Sequence, residues 1–381
     1  MNNTNIPKIN LLVIIYSMGD GGAERVTASL TNHWAAMEWK ITLVTLAPVT
    51  WDLFDLNPAI QRTSLDMTSE SSNPLLGLWR NITRIKALRK VLKQTQPDIA
   101  LAMMTTSNVL LALASLGLTT VKTIGSERTH PPQKPLGYLW ETLRSHTYGL
   151  LNAVTCLSSE GKIWIEKNTS AKNILVVSNA AIWPIARKDP LLIPGSFIKK
   201  ERRLLLAAGR LTTEKCFDEL IQVFSKLVVN HTEWDLVIVG EGQLRAALEQ
   251  QIEQSGLQNR VFLPGRAGNI GDWYERADLF VLSSRFEGFP NCIIEAMAYG
   301  LPVVSFDCDT GPRDIIRDQI DGILVQRGDL TDLAKALNHL MSDDLLRKKY
   351  AERAIEVRER FSISEVTGKW EKLFVALLHK S

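Results

Sequence analysis

The amino-acid sequence predicts an α/β fold made of two doubly wound domains with parallel sheets. From Lys8 onward, apolar runs of strand length alternate with helical stretches, and this alternation is typical of a parallel sheet covered by helices. The chain has 381 residues, a length that exceeds one ordinary hydrophobic core and predicts two domains. Between them, residues 178–198 lose the periodicity and contain three prolines. We therefore predict a first domain over residues 1–180, a linker over 181–199 and a second domain over 200–362.

Short apolar runs predict the strands of both domains. In the first domain they lie at residues 9–16, 41–46, 98–104, 122–125, 153–157 and 173–177. In the second domain they lie at residues 203–208, 234–239, 261–263, 279–282, 302–306 and 322–325. Helical stretches separate them, and a last helix is predicted over residues 364–379.

One of these helices is predicted over residues 290–299. Pro290 suits a first helical turn, because its missing N–H would be unpaired there in any case. Gly300 follows as a C-terminal stop. Two further helices of the second domain are predicted to begin at about Phe217 and at Gln243.

Composition excludes several classes of protein. The formal charge of +3 is too small to argue for nucleic-acid binding, and no apolar stretch is long enough to predict a membrane span. The apolar run near the N-terminus lacks the basic segment and cleavage site of a signal peptide, so we interpret it as a strand. Four cysteines without C-x-x-C spacing argue against a zinc site or a disulfide framework and fit a reducing cytosol. We expect a cytoplasmic protein without a bound metal.

Two glutamates form the first candidate site. Glu287 follows a predicted strand, and Glu295 lies inside the next helix, with seven residues between the two glutamates. A helix N-terminus at the carboxyl end of parallel strands favours anions, because its N–H groups are unpaired. Glu295 stands among apolar residues and needs partners, which ligand hydroxyls would supply. Each glutamate alone is better explained as an ordinary residue, Glu287 in a turn and Glu295 at a solvated helix position. The two together, in this strand-loop-helix arrangement, favour a binding site.

The stretch EGFPNCIIEAMAYGLPVVSFD resembles the E-x7-E signature of the retaining GT-B glycosyltransferases of family 4, which use nucleotide sugars. The resemblance implies two Rossmann-like domains facing each other across a cleft, with residues 363–381 crossing back to the first domain. It also implies that Glu287 lies at the donor sugar and that Glu295 binds the ribose. The residues around them are then donor-binding as well: Gly288, Phe289, Pro290 and Asn291.

A second element of the same resemblance is GRLTTEKCF. Two cations five residues apart, Arg210 and Lys215, can bracket a diphosphate without a metal, although surface cations are common. By the resemblance both grip the donor phosphates, and Cys216 departs mildly from the family's usual glycine. The tight turn at Gly240 and Glu241 is placed at the donor too.

The first domain contains a glycine-rich loop at residues 19–25. A dinucleotide fingerprint is the obvious alternative, but Glu24 stands where that fingerprint needs glycine, and no acidic residue ends the second strand. GGAERV instead resembles family 4 enzymes that build bacterial surface glycans. That resemblance implies that Gly21 and Gly22 lie beside the donor diphosphate, with Glu24 on the acceptor or sugar side.

Three further residues follow the strand at residues 122–125. Many family 4 members have a histidine close to this point, whereas here Glu127 and Arg128 come first and His130 later. We place all three as candidates on the acceptor or sugar side. A lone histidine before two prolines is also typical of an ordinary loop residue.

The helix predicted at residues 75–97 is amphipathic and basic. Its apolar stripe contains Leu78, Ile82, Ile85, Leu88 and Leu92. The cationic remainder fits a solvated helix face, or contact with an anionic membrane surface next to Trp79. The sequence leaves both interpretations open.

The resemblance implies an enzyme that moves a hexose or N-acetylhexosamine, with retention, from a UDP-linked donor to an undecaprenyl-diphosphate-linked glycan. Its partners would be the nucleotide sugar and a glycolipid or oligosaccharide acceptor, with no cofactor and no nucleic acid. A GT-B epimerase or a phosphorylase would share the fold with different chemistry. A two-domain sugar-binding receptor would share the plan, but such receptors are normally exported.

Overall fold

The structure is a computed structural model that describes residues 7–19, 21–68, 74–133 and 135–379. The chain forms two compact units. The first contains the residues up to Asn179 and those from Ile363 onward, and the second contains Ala180–Ser362. Both are parallel sheets with helices between successive strands, so the α/β prediction is confirmed.

In the described part of the first unit, the sheet has seven strands in the order β3-β2-β1-β4-β5-β6-β7. The strands are β1 (Asn10–Ile15), β2 (Lys40–Thr45), β3 (Gln61–Ser64), β4 (Ile99–Met103), β5 (Lys122–Ser126), β6 (Ala153–Cys156) and β7 (Ile174–Val176). The helices are α1 (Gly22–Ala36), α2 (Pro74–Thr95), α3 (Thr105–Ala114), α4 (Tyr138–Thr147) and α5 (Ser159–Asn168).

The central strands of this unit are buried along nearly their whole length. All of Leu11–Ile15 and all of β4 are inaccessible to solvent. Such continuous apolar strands are expected of a parallel sheet whose two faces are both covered by helices. Strand β3 was not predicted, because Gln-Arg-Thr-Ser is polar and lies at the edge of the sheet, where it packs against less of the core.

Among the described residues of the second unit, the sheet has six strands in the order β10-β9-β8-β11-β12-β13. The strands are β8 (Arg203–Ala208), β9 (Trp234–Val239), β10 (Val261–Gly265), β11 (Leu279–Leu282), β12 (Val303–Asp307) and β13 (Gly322–Gln326). The helices are α6 (Phe217–Leu227), α7 (Arg245–Gln254), α8 (Ile270–Arg276), α9 (Asn291–Ala298), α10 (Pro312–Ile315), α11 (Leu330–Ser342), α12 (Asp344–Ala354) and α13 (Val357–Arg360).

Two helix starts in this unit differ from the prediction. Pro290 precedes α9 as its N-cap instead of opening its first turn. Its backbone is extended, with φ −76° and ψ 93°. Helix α7 begins at Arg245, two residues after the predicted Gln243. Both differences lie within one turn, where the first N–H groups of a helix have no partner inside the helix.

The segment before β8 packs onto the second unit. The Lys188 amide donates to the Gly268 carbonyl at 3.0 Å, and the Gly268 amide donates to the Pro190 carbonyl at 2.8 Å. The Asn269 side chain accepts from the Leu192 amide at 2.8 Å. These bonds satisfy the backbone of a stretch that is irregular except for one turn of 3-10 helix at Pro194–Ser196.

The last helix of the described residues is α14 (Ile363–Leu378), which belongs to the first unit. Trp370 and Phe374 of α14 pack on Trp34 of α1, with ring centroids 6.5 Å and 5.4 Å away. Trp39 stacks on Trp34 at 5.8 Å and also packs on Phe374 at 6.1 Å. This aromatic cluster joins the two ends of the described sequence into one core.

Candidate active site

In each sheet the strand order reverses at one point. The second unit runs outward from β8 in one direction and from β11 in the other. The loops that leave the carboxyl ends of the two strands at such a reversal run to opposite faces of the sheet. The crevice between these loops is the usual ligand site of open α/β sheets. The loop after β8 contains Arg210 and Lys215, and the loop after β11 contains Glu287. The reversal therefore places predicted residues from two distant segments at one site.

Lys215 and Glu287 are in direct contact. The Lys215 Nζ lies 2.6 Å from Glu287 Oε1, and the two side chains are 15% and 13% exposed. The hydroxyl of Ser284 donates to the same carboxylate oxygen, also at 2.6 Å. A charged pair this poorly solvated is retained only where other hydrogen bonds support it, and Ser284 supplies one.

The Lys215 ammonium is held in its charged form. Burial acts to lower the pKa of Lys215, and the attraction of Glu287 outweighs it, so the pKa lies above the ordinary value. The positive charge is therefore present throughout neutral pH and is lost only in strongly basic solution. Burial raises the pKa of the nearby Cys292 thiol to about 12, so the thiol is neutral and is no nucleophile at neutral pH.

Further hydrogen bonds tie three loops together around this pair. The Ser283 hydroxyl donates to the Lys215 carbonyl at 2.7 Å. The Thr310 hydroxyl, from the loop after β12, donates to the Glu287 carbonyl. The sequence prediction missed Ser283, Ser284 and Thr310. Ser283 and Ser284 directly follow the buried strand β11, and this position at the carboxyl edge of the sheet was the available signal. Thr310 lies three residues beyond β12 and has no such signal.

Two glycines allow these loops to approach each other closely. Gly240 has φ +154°, and a Cβ there would lie 1.8 Å from the Gly209 carbonyl oxygen. Gly311 has φ +97°, and a Cβ there would lie 2.5 Å from the Pro290 ring. A side chain at either position would force the neighbouring loops apart. Gly240, predicted as donor-binding, thus sets the spacing between the loops after β8 and β9.

Glu295 is a buried carboxylate on α9. It is 5% exposed, and the Tyr274 hydroxyl of α8 donates to its Oε2 at 3.2 Å. The sequence predicted that this buried carboxylate needs partners, and the protein itself supplies one of them, the Tyr274 hydroxyl. Ring packing of Tyr274 on Tyr299 and Phe280, at 5.6 Å and 5.9 Å, orients that hydroxyl.

The remaining predicted residues of this unit have different surroundings. Arg210 is exposed. The Glu241 carboxylate pairs with Arg245 at 2.7 Å, and the hydrogen bond from Arg245 lowers the pKa of Glu241. Phe289 is buried and packs edge-on against Phe361 at 6.1 Å, so its ring anchors the loop. Gly288 and Pro290 flank this anchor, and Asn291 is the first residue of α9.

In the first unit, the glycine-rich loop lies at the start of α1. Gly21 is the N-cap of α1, and Gly22 is its first residue. The Glu24 carboxylate folds back over Gly21, with Oε2 2.0 Å from the point where a Cβ would stand. A carboxylate therefore covers the helix N-terminus at which the prediction placed a phosphate. Asp20 of the same loop lies outside the described residues.

Glu127 and Arg128 lie directly after β5 and are both buried. The Glu127 carboxylate accepts from the Thr105 hydroxyl at 2.8 Å and from the Tyr148 hydroxyl at 2.7 Å. The Arg128 guanidinium donates to the Asn179 side chain instead. His130 is half-buried and precedes a short 3-10 helix at Pro131–Gln133. The three residues thus occupy three different environments.

Two family models match most of the chain. The model described as "Glycosyl transferases group 1" matches residues 190–357, and that described as "Glycosyltransferase Family 4" matches residues 20–181. The matches fall on the two structural units in turn. The chain belongs to glycosyltransferase family 4. The two matches confirm the family and the enzyme class that the sequence motifs predicted for this glycosyltransferase.

Curated relatives of the glycosyltransferase include bacterial proteins named for a lipid-linked glycan and for an exopolysaccharide. A Campylobacter jejuni enzyme is 29% identical over 94% of this chain and 96% of its own length. It is named "GalNAc-alpha-(1->4)-GalNAc-alpha-(1->3)-diNAcBac-PP-undecaprenol alpha-1,4-N-acetyl-D-galactosaminyltransferase". The "Exopolysaccharide phosphotransferase SCO2592" of Streptomyces coelicolor is 31% identical over 83% of this chain, which spans about a third of that longer protein (33%).

Solved structures show the fold of the glycosyltransferase. A glycosyltransferase from Rickettsia africae superposes with a TM-score of 0.81 at 20% identity. The match covers 98% of this chain and 100% of the other. The fold is GT-B, with two Rossmann-like units, as predicted.

The arrangement in the second unit of this glycosyltransferase suits the binding of a diphosphate. Lys215 supplies a fixed positive charge, and α9 begins four residues after Glu287. Within the described ranges, no three His, Cys, Asp or Glu side chains are grouped as metal ligands would be. Where the loops after β8 and β11 meet, the structure holds the Lys215 ammonium in a defined position. Glu287 pairs with the ammonium, and the Ser283 hydroxyl bonds to the Lys215 backbone carbonyl.

Proposed function

We propose that the enzyme transfers a hexose or N-acetylhexosamine from a UDP-linked donor to a growing undecaprenyl-diphosphate-linked surface glycan, with retention at the anomeric carbon. The observation that carries this proposal is the Lys215–Glu287 pair at the point where the strand order of the second unit reverses. The second unit binds the donor and the first binds the acceptor. The undecaprenyl-diphosphate acceptor in the Campylobacter relative's name supports the acceptor class.

The difficult step of such a reaction is the departure of the nucleoside diphosphate. As the bond between the anomeric carbon and the β-phosphate oxygen breaks, negative charge grows on that phosphate. Lys215, Arg210 and the N-terminus of α9 stabilise this charge, and one well-placed donor contributes on the order of 3 kcal/mol. The acceptor hydroxyl forms the new bond to the anomeric carbon, and its proton passes to the departing phosphate. Glu287 holds Lys215 and the sugar in place, and the two cations make a metal unnecessary.

The donor nucleotide can be tested by thermal stability. A nucleotide at 100 times its dissociation constant stabilises a protein by roughly 2.7 kcal/mol. We expect UDP to raise the melting temperature, with GDP and ADP giving no shift. If Glu295 binds the ribose, Glu295→Ala removes a charge-assisted hydrogen bond worth about 1.5–3 kcal/mol and most of the UDP shift with it.

The matched control is Tyr274→Phe, which removes the hydroxyl beside Glu295 but leaves the carboxylate. It should keep most of the UDP shift. An equal loss in both variants would show that disturbed packing, not ribose binding, explains the effect. If no nucleotide stabilised the wild-type enzyme, the donor site itself would be wrong. Conversion of a UDP-sugar without any acceptor would favour epimerisation over transfer.

We also propose that α2 of the first unit contacts an anionic membrane. The structure divides the predicted apolar stripe: Leu88 and Leu92 are buried, whereas Leu78 and Ile82 are exposed. Trp79 is 63% exposed beside them. No helix in the described residues is long and apolar enough to span a bilayer. Exposed apolar side chains on a basic helix instead favour adsorption to the membrane surface.

Two of the cations of α2 are used inside the protein. Arg84 donates to the Met67 carbonyl at 2.7 Å, and Arg89 donates to the Ala114 carbonyl at 2.7 Å. Lys86, Lys90 and Lys93 are exposed. These lysines are therefore the groups that would meet anionic lipid head groups, each worth about 1 kcal/mol near a charged surface.

Vesicle co-sedimentation tests this contact. Replacing Leu78 and Trp79 together with serine should lower the partition onto phosphatidylglycerol vesicles at least about tenfold, because a buried large apolar side chain contributes about 1.5–3 kcal/mol. Leu345→Ser, at an exposed position of the second unit, is the matched control and should have no effect. Equal binding by wild type and double variant, or equal binding to neutral phosphatidylcholine vesicles, would contradict the proposal.

A further inference from the structure

Arg128 is a buried cation without an anionic partner. Arg128 is only 7% exposed, and its Nε has no hydrogen-bond partner in the structure. The guanidinium donates to the Asn179 side-chain oxygen and, at a long 3.5 Å, to the Ser126 hydroxyl. Both acceptors are neutral, and no carboxylate of the described residues pairs with it. Burial lowers the pKa of Arg128 to about 10, yet the group stays charged at neutral pH.

The adjacent carboxylate, Glu127, does not neutralise this charge. Its oxygens accept from Thr105, Tyr148 and Thr129 at 2.7–3.2 Å. Its nearest cation is Arg144, at 3.9 Å. Burial, together with the charge of Glu127, raises the pKa of Tyr148 well above its usual range, so Tyr148 remains a hydrogen-bond donor. Glu127 is therefore satisfied by its own network.

The position of Arg128 in the sheet is that of a ligand-binding residue. Arg128 follows β5, and its partner Asn179 follows β7, with β6 between them in the sheet. The side chain therefore lies across the carboxyl edge of three parallel strands, the edge at which α/β folds bind ligands. Beside it, Met104 at the end of β4 adopts φ +78° and ψ 152°. Such strained backbone in a residue other than glycine is concentrated at functional sites.

We propose that Arg128 binds a phosphate oxygen of a substrate diphosphate, and that this diphosphate is the one in the lipid-linked acceptor. A buried, unpaired charge is unfavourable for folding, and an anionic ligand would compensate it. The planar guanidinium suits a phosphate because it donates parallel hydrogen bonds to two oxygens. The assignment to the acceptor rests on the proposed function, in which Lys215 and Arg210 of the second unit hold the donor diphosphate.

The test uses farnesyl diphosphate, a short lipid diphosphate, as a binding probe for the full-length enzyme in calorimetry. Arg128→Gln should weaken its binding by at least about tenfold, because a charge-assisted hydrogen bond is lost. Arg128→Lys should give an intermediate affinity, since it keeps the charge without the planar fork. Lys215→Met should lower the affinity for the probe less than Arg128→Gln does, because Lys215 is assigned to the donor diphosphate. Loss of binding in both Arg128→Gln and Lys215→Met would still support the phosphate contact but assign it to the donor.

Stability measurements separate binding from a structural role. Arg144→Gln is the matched control, because Arg144 is also buried but pairs with Glu141 and should be needed for folding. Arg128→Gln should melt at or above the wild-type temperature, since it removes an unpaired charge. A loss of stability as large as that of Arg144→Gln with unchanged probe binding would overturn the proposal, as would a wild-type enzyme that does not bind the probe. Because the assay needs no turnover, Arg128-dependent binding without transfer would overturn only the proposed reaction.

Discussion

Replacing Lys215 with methionine is expected to reduce the turnover of sugar transfer by roughly 10²–10³-fold, because a positioned donor facing a developing oxyanion contributes about 2.7–4 kcal/mol. The substitution removes the cation that the structure holds 2.6 Å from the Glu287 carboxylate. The measurement is kcat for transfer from the UDP-sugar to a lipid-linked acceptor at saturating donor. Methionine keeps the length of the side chain, so the loss reports the charge and not the volume.

The matched control is Lys226→Met, at an exposed position on α6 in the same unit. It should retain wild-type turnover. Lys215→Arg should recover part of the activity, because it restores a charge without the same geometry. A Lys215→Met enzyme with kcat within about threefold of wild type, a difference below 1 kcal/mol, would exclude a role for this charge in leaving-group departure.

Replacing Trp370 with alanine should destabilise the first unit by about 3–5 kcal/mol, as expected for a fully buried Trp. Trp370 is the residue by which α14 packs edge-on against Trp34. Its indole N–H is buried and has no hydrogen-bond partner in the structure. Urea unfolding followed by tryptophan fluorescence should show a lower midpoint for the first unit, with the transition of the second unit unchanged.

Trp370→Phe is the informative control. It keeps an aromatic ring in the cluster and removes the unpaired N–H, whose burial alone is unfavourable by about 1–3 kcal/mol. We therefore expect a much smaller loss of stability than in Trp370→Ala. An equal loss in both variants would mean that the N–H has a partner in solution and that ring packing is not the main contribution.

Most of the strands could be predicted because a parallel sheet covered on both faces requires continuous apolar runs. Strands β8, β9 and β11 have the predicted bounds. Strand β3 lacks this signal, since Gln61 is exposed and the remaining residues are only half-buried. The apolar stripe of α2 was predicted as one face, but only its Leu88 and Leu92 are buried, whereas Leu78 and Ile82 are exposed. Periodicity identifies a face of a helix, but it does not show where along the helix that face leaves the core.

The site was predictable as a set of residues but not as a set of contacts. The motifs identified Lys215 and Glu287 separately. Their contact, across 72 positions of sequence, depends on β8 and β11 being neighbours in the sheet. Ser284 and Thr310 have no distinctive motif and acquire their role only from that neighbourhood. Glu127 and Arg128 are adjacent in sequence, yet their side chains have separate partners that the sequence does not indicate.

The position of α14 has a consequence for synthesis of the chain. Helix α1 ends at Ala36, whereas its partner helix begins at Ile363. At a translation rate of about 5–20 residues per second, the two are separated by roughly 16–65 s on the ribosome. During that time the nascent first unit exposes the faces of Trp34 and Trp39 that α14 later covers. The second unit can complete its own sheet in this interval, so the unit that begins first is the last to be finished.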